Sequence, residues 1–129
     1  MRDVKDNDYD IVVLPGGPGT QKLKASQEVK ELLQKQEMND RWIAAICDAP
    51  TVLKAHGIDK GKTVTSFPDV KDEMTKDGDY RYSEESVVVD GKLITSRSLD
   101  PETAFYLGLT IIEELVGTGT RDRVAQGFL

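Results

Sequence analysis

A single cysteine is the side chain in this sequence best suited to covalent chemistry. Cys47 follows the apolar run Trp42-Ile43-Ala44-Ala45-Ile46 and precedes Pro50 by three residues. Because proline is tolerated only in the first turn of a helix, Cys47 is predicted at a sharp strand-to-helix turn. The helix amino terminus there favours the thiolate, which is the nucleophilic form. An inert, buried thiol is the alternative interpretation, since free cysteine is among the most buried residue types.

Asp48, the residue after the cysteine, has a backbone N–H and a carboxylate with opposite expected effects on the chemistry of Cys47. In nucleophile elbows, the backbone N–H of the following residue, here Asp48, helps to form an oxyanion hole. The carboxylate of Asp48 is a negative charge close to the thiolate, and it is expected to work against the helix effect. We therefore expect two opposing influences of Asp48 on the chemistry of Cys47.

A glycine-rich loop after another apolar run is a second candidate for ligand binding. Asp10-Ile11-Val12-Val13-Leu14 leads into Pro15-Gly16-Gly17-Pro18-Gly19, and such glycines let backbone N–H groups approach an oxyanion or a carboxylate. The loop lacks the Lys-Ser/Thr ending of a phosphate-binding loop and does not match the dinucleotide fingerprint. A tight turn without a ligand is the alternative.

The remaining candidates give no metal site and no cofactor. The single histidine, His56, is expected about 12 Å along the helix that Cys47 begins, too far to act as its base, and a helix-end cap is the better role. One cysteine and one histidine do not form a closed zinc site. Ser96-Arg97 follows a predicted strand and could bring a hydroxyl and a cation to the pocket, or simply be solvated. The acidic runs containing Asp69 and Glu84 are interpreted as solvated surface.

The elements that position these residues follow from local signals. Ser26 and Asp100 are predicted to cap helices, Gly57 to end one in the left-handed conformation, and Asp90-Gly91 to form a type I′ hairpin turn. The predicted strands are 10–14, 42–46, 63–66, 87–89 and 92–95, and the predicted helices are 27–38, 48–56, 101–116 and 121–126.

Strands that alternate with helices predict an α/β fold, with a mostly parallel sheet covered on both faces and one antiparallel hairpin. Ligands of such sheets bind beyond the carboxyl ends of the strands, where both Cys47 and the glycine loop fall. The 129 residues are expected to form one domain.

The composition and charge of the chain argue against several classes of partner and location. With 17 basic and 23 acidic residues, the formal charge of −6 argues against a nucleic-acid groove or an anionic membrane as the partner. No apolar run reaches the roughly 18 residues that a membrane span needs, and the amino terminus lacks the apolar core of a signal peptide. A lone thiol fits a reducing compartment, so a cytosolic location is expected.

Several segments, in order along the chain, together resemble the ThiJ/PfpI superfamily, and most closely its branch of Parkinsonism-associated protein deglycases. These segments are Leu14-Pro15-Gly16-Gly17, Ile43-Ala44-Ala45-Ile46-Cys47, Ala49-Pro50, Tyr80–Tyr82-Ser83 and Leu93-Ile94-Thr95-Ser96-Arg97. The resemblance implies a flavodoxin-like three-layer sandwich, a homodimer and no cofactor. By position it implies Cys47 as the reactive cysteine and the N–H groups of Gly17 and Asp48 as oxyanion donors. It also implies Gly16, Phe67, Ser96 and Arg97 as pocket residues.

The implied activity is glutathione-independent conversion of methylglyoxal or glyoxal to hydroxy acids, or removal of early glycation adducts, with protection against oxidative stress. One alternative is a redox-sensing, chaperone-like protein whose cysteine is oxidised to a sulfinic acid. Another is a non-catalytic relative retained for dimer assembly.

Departures from the family pattern bear on activity. Family members begin with a β-α-β segment that carries a glutamate hydrogen-bonded to the cysteine. We expect this segment to be absent from the chain and supplied by the parent protein. Phe67 stands where a histidine is often found, Asp48 where a small residue is usual, and the loop over 98–103 is two residues longer.

Overall fold

The computed structural model describes residues 9–98 and 100–116, and it divides them among six strands and five helices. The strands are β1 (Ile11–Leu14), β2 (Trp42–Ile46), β3 (Thr63–Val64), β4 (Arg81–Tyr82), β5 (Val87–Asp90) and β6 (Leu93–Ser96). The helices are α1 (Thr20–Ala25), α2 (Gln27–Met38), α3 (Pro50–His56), α4 (Lys71–Thr75) and α5 (Pro101–Val116), with a 3₁₀ turn at Pro68–Val70 before α4.

The main sheet has the strand order β1-β2-β6-β5. β1, β2 and β6 run parallel, and β5 pairs antiparallel with β6. β3 and β4 form a separate two-stranded parallel sheet. The carboxyl ends of β1, β2 and β6 therefore meet at one edge, as predicted.

Alternate residues of β2 are buried on opposite faces of the sheet, which explains its continuous apolar sequence. Ile43 and Ala45 join a core formed with α2, α3 and α4, whereas Ala44 and Ile46 join a second core that includes Leu107 of α5. Helices thus cover both faces, and the predicted flavodoxin-like α/β fold is confirmed.

The predicted helix caps are confirmed. The Ser26 hydroxyl accepts a hydrogen bond from the N–H of Val29 at 3.2 Å, and the Asp100 carboxylate accepts one from the N–H of Thr103 at 3.0 Å. Gly57 ends α3 at φ 69°, in the left-handed region.

Other local predictions need correction. The type I′ turn is wrong, because Asp90 pairs with Leu93, and Gly91 and Lys92 are the central residues. Of these two only Gly91, at φ 61°, has a positive φ, which is the pattern of a type II′ turn. The predicted strand 63–66 ends at Val64, and α1, α4 and β4 were not predicted. The short helix proposed for 121–126 lies outside the described residues.

Two further findings concern the same described part of the chain. None of its helices is both long and apolar enough to cross a bilayer. Within it, no three histidine, cysteine, aspartate or glutamate side chains are grouped so that they could hold a metal ion.

Candidate active site

Cys47 lies at a sharp turn between β2 and α3, with a backbone φ of 60°. A residue with a β-carbon pays about 1–2 kcal/mol for this left-handed conformation, so the surroundings must hold it. The N–H of Cys47 donates to the carbonyl of Ser96 at 2.9 Å, and its own carbonyl accepts from the N–H of Phe67 at 2.8 Å. The turn leaves the cysteine half-buried, beside the core on the α5 face.

The glycine loop packs directly on this turn. A β-carbon on Gly16 would lie 2.7 Å from Cys47 Cβ and 2.8 Å from the carbonyl oxygen of Ile46. Only glycine permits this approach without a shift of the backbone. Gly17 has no such crowding, but its φ of 107° also favours glycine. The predicted proximity of the loop and the cysteine is confirmed.

The Asp48 side chain turns toward the glycine loop. Its Oδ1 accepts a hydrogen bond from the N–H of Gly17 at 2.9 Å and one from the hydroxyl of Thr20 at 3.0 Å. The Gly17 N–H, predicted as an oxyanion donor, is therefore hydrogen-bonded to the neighbouring carboxylate in this structure. The N–H of Asp48 itself makes no hydrogen bond within residues 9–98 and 100–116.

A cavity of about 370 Å³ opens beside the cysteine. Its lining residues are Gly17, Cys47, Asp48, Phe67, Asp69 and Val70. Phe67 is 40 % exposed and lines the cavity as predicted. Gly16, expected in the same pocket, contacts the cysteine turn but lines a neighbouring apolar cavity that runs along β1.

Ser96 and Arg97, predicted as pocket residues, are not among the described residues that line this cavity. Ser96 is buried and its hydroxyl donates to the carbonyl of Ser98 at 3.0 Å. The Arg97 guanidinium donates to the carbonyl of Glu84 at 3.2 Å, and its N–H to that of Ser86 at 2.8 Å. Ser96 contacts the turn through its backbone, since its carbonyl accepts a hydrogen bond from the N–H of Cys47.

Tyr80 and Tyr82, which belong to one of the segments that resemble the family, each donate a hydrogen bond to a backbone carbonyl. The Tyr82 hydroxyl donates to the carbonyl of Ser66 at 3.0 Å, next to the residue that lines the cavity. The Tyr80 hydroxyl donates to the carbonyl of Ile58 at 2.6 Å, and burial raises the pKa of Tyr80.

His56 caps a helix end, as expected, but the capped helix is α1, whereas His56 itself lies in α3. Its Nε2 lies 2.9 Å from the carbonyl oxygen of Leu23, near the end of α1. This contact ties the end of α3 to the helix that follows the glycine loop.

Asp69 is exposed, as its interpretation as solvated surface expects, and it also lines the cavity, which the sequence interpretation did not indicate. A local signal was available in Phe67-Pro68, since proline starts the 3₁₀ turn directly after the residue whose N–H binds the Cys47 carbonyl.

Comparison with known proteins agrees with this geometry. A profile described as the DJ-1/PfpI family matches residues 1–114. The chain belongs to the DJ-1/PfpI family. Among its family relatives, a Parkinson disease protein 7 homolog of Danio rerio is 52 % identical over 114 residues, which cover 88 % of this chain and 59 % of the relative.

Two further members of the DJ-1/PfpI family are informative. The glutathione-independent glyoxalase DJR-1.2 of Caenorhabditis elegans is 44 % identical over 117 residues, covering 91 % of this chain and 61 % of the relative. The crystal structure of DJ-1beta from Drosophila melanogaster is 44 % identical with a TM-score of 0.88, covering 98 % of this chain and 67 % of that one. The chain thus spans about three-fifths of the length of the first two relatives.

Proposed function

We propose that this chain carries the cysteine half of a DJ-1-type enzyme that converts small α-oxoaldehydes, or the early glycation adducts they form, without glutathione. The observation that supports it most is the strained turn at Cys47, which presents a half-buried thiol to a cavity. The N–H of Asp48 beside it makes no hydrogen bond to any of the described residues. The similarity to a protein named as a glutathione-independent glyoxalase points the same way.

In the proposed reaction the Cys47 thiolate adds to the aldehyde carbon, and the carbonyl oxygen becomes an oxyanion that the Asp48 N–H stabilises. The hydrogen on that carbon is lost as a proton and one is regained at the neighbouring carbon, so the first is oxidised while the second is reduced. The resulting thioester is hydrolysed by water, which frees the hydroxy acid and restores the thiol.

A proton carrier is needed for these transfers, and among the described residues no histidine lies at the cavity. We assign this role to the glutamate that the family resemblance places in an amino-terminal β-α-β segment of the parent protein. A homodimer and a reducing, cytosolic compartment belong to the same proposal. Light scattering of the parent protein would test the dimer.

The activity is tested with Cys47→Ser in the parent protein, with consumption of methylglyoxal and formation of hydroxy acid as the two readouts. Asp40→Asn, an exposed change at the amino-terminal end of β2, is the control. We expect Cys47→Ser to abolish turnover and Asp40→Asn to leave it unchanged. Full turnover by Cys47→Ser would refute the proposal. Negligible turnover by the unmodified protein, with selective gain of two oxygens at Cys47 after mild peroxide, would instead favour the redox-sensing alternative.

A further inference from the structure

The ionisable residues that line the cavity beside the thiol all carry the same charge sign. Asp48 and Asp69 line it, whereas no lysine, arginine or histidine among the described residues does. The Asp48 carboxylate is fixed there by the Gly17 N–H and the Thr20 hydroxyl, both of which are neutral donors. Within the described part of the chain, the Asp69 side chain has no ion pair or hydrogen bond.

Lys71, the cation nearest to Asp69 in sequence, and Arg97 are both engaged elsewhere. The Lys71 ammonium donates a hydrogen bond to the carboxylate of Glu84 and lies 5.2 Å from the centroid of the Tyr82 ring. This hydrogen bond lowers the pKa of Glu84. The Arg97 guanidinium donates to the backbone carbonyl of the same glutamate. Neither cation therefore lines the cavity to offset its two carboxylates.

We propose that this cavity selects substrates by charge, with Asp69 as the specificity-determining residue. Asp69 is exposed at the cavity, and its carboxylate repels an anion and attracts a cation that enters beside it, an effect that dissolved salt weakens. The favoured class comprises neutral α-oxoaldehydes and carbonyl adducts carried on a guanidinium or ammonium group. α-Oxoaldehydes and carbonyl adducts that carry a carboxylate or a phosphate are disfavoured. This inference rests on the proposed function, because it names the substrate class that Cys47 attacks.

The test uses the reaction of the single thiol with three methanethiosulfonate reagents, which carry a trimethylammonium, a sulfonate or a methyl group. Each reagent transfers its thioalkyl group to the Cys47 sulfur and releases methanesulfinate, so the added mass on the intact chain reports the rate. Because the sequence has one cysteine, the site of modification is unambiguous. Dividing each rate by that of free N-acetylcysteine removes the intrinsic reactivity of the reagent.

We expect the corrected ratio of cationic to anionic rates to be about tenfold at low ionic strength and to approach one at high salt. Asp69→Asn, which removes one carboxylate with little change of shape, should lower the ratio at least about threefold while the neutral reagent changes far less. Asp40→Asn removes the same charge at the opposite end of the strands and should leave the ratio within experimental error.

A corrected ratio near one at low salt would overturn the inference, as would an equal effect of Asp69→Asn and Asp40→Asn. A parallel fall with all three reagents would also overturn it, since this would indicate a change in access to the thiol. The reaction requires no turnover, so its outcome is independent of the proposed activity. If the parent protein is active, its preference for methylglyoxal over an α-oxoaldehyde that carries a carboxylate should decrease in Asp69→Asn.

Discussion

Replacing Gly16 by alanine tests how closely the glycine loop packs on the turn that carries Cys47. The added β-carbon would lie 2.6 Å from Asp48 Oδ1, 2.7 Å from Cys47 Cβ and 2.8 Å from the Ile46 carbonyl oxygen, all below 3.0 Å. The carbonyl and the β-carbon cannot move without the backbone, and the carboxylate oxygen is held by two hydrogen bonds. Overpacking of this kind costs about 1–3 kcal/mol, and we expect Gly16→Ala to lose that much stability.

Urea unfolding followed by fluorescence measures this loss, because the sequence has one tryptophan and Trp42 is buried in the core. With a slope of about 1–3 kcal/mol per molar urea, the midpoint should fall by about 1 M. Gly19→Ala is the matched control in the same loop. Gly19 has a φ of −78° and nothing within 4 Å of an added β-carbon, so a change of no more than about 0.5 kcal/mol is expected. Equal midpoints for the two variants would refute the close packing.

Three further predictions concern the turn and the last helix. Because φ at position 47 is 60°, Cys47→Gly should be about 1 kcal/mol more stable than Cys47→Ala in urea, and the reverse order would contradict the strained turn. Asp48→Ala should release the Gly17 N–H as a second oxyanion donor and raise kcat for methylglyoxal in the parent protein about tenfold or more; an unchanged kcat would show that this donor has no part in catalysis. Hydrogen bonds, the largest from the Ser98 hydroxyl, lower the pKa of Asp100 from 3.8 to about 2, so the ionised cap stabilises α5 above pH 3.8 and this contribution is lost as the pH falls toward 2. Asparagine caps equally well but does not titrate, so Asp100→Asn should flatten the acid-unfolding curve in that window, and an unchanged curve would contradict the assignment.

The features that could be predicted from the sequence are those that depend on residues within about one helical turn of each other. Ser26 is followed by a helix whose third N–H it accepts, Pro50 can only begin a helix, and Gly57 can end one. The apolar run of β2 could be assigned to a buried strand because apolar residues occupy both of its faces, and all five residues are buried. These signals placed Cys47 at its turn without any knowledge of tertiary contacts.

The hydrogen-bond partners of the charged side chains could not be predicted from such local signals. Arg97 follows a correctly predicted strand, but its long side chain can reach several acceptors, and the chosen one is a carbonyl 13 positions earlier. Lys71 likewise engages Glu84 across a loop, and so it does not pair with the nearby Asp69 carboxylate at the cavity. Such choices depend on how the loops pack, and local propensity does not contain that information.

Asp48 shows how one residue can support a site and limit it at the same time. Its backbone N–H lies beside the nucleophile, while its carboxylate holds the Gly17 N–H and so keeps the glycine loop on the turn. A second oxyanion donor is worth about 100-fold or more in acyl-transfer enzymes, so occupying it is costly if it is used in catalysis. If the proposed activity is correct, the hydrogen bond between Asp48 and Gly17 must either break when substrate binds or leave the reaction with a single oxyanion donor. Because the two residues are 31 positions apart and meet only through the fold, the alternatives are distinguished by the effect of the Asp48 side chain on turnover and not by the sequence of the turn.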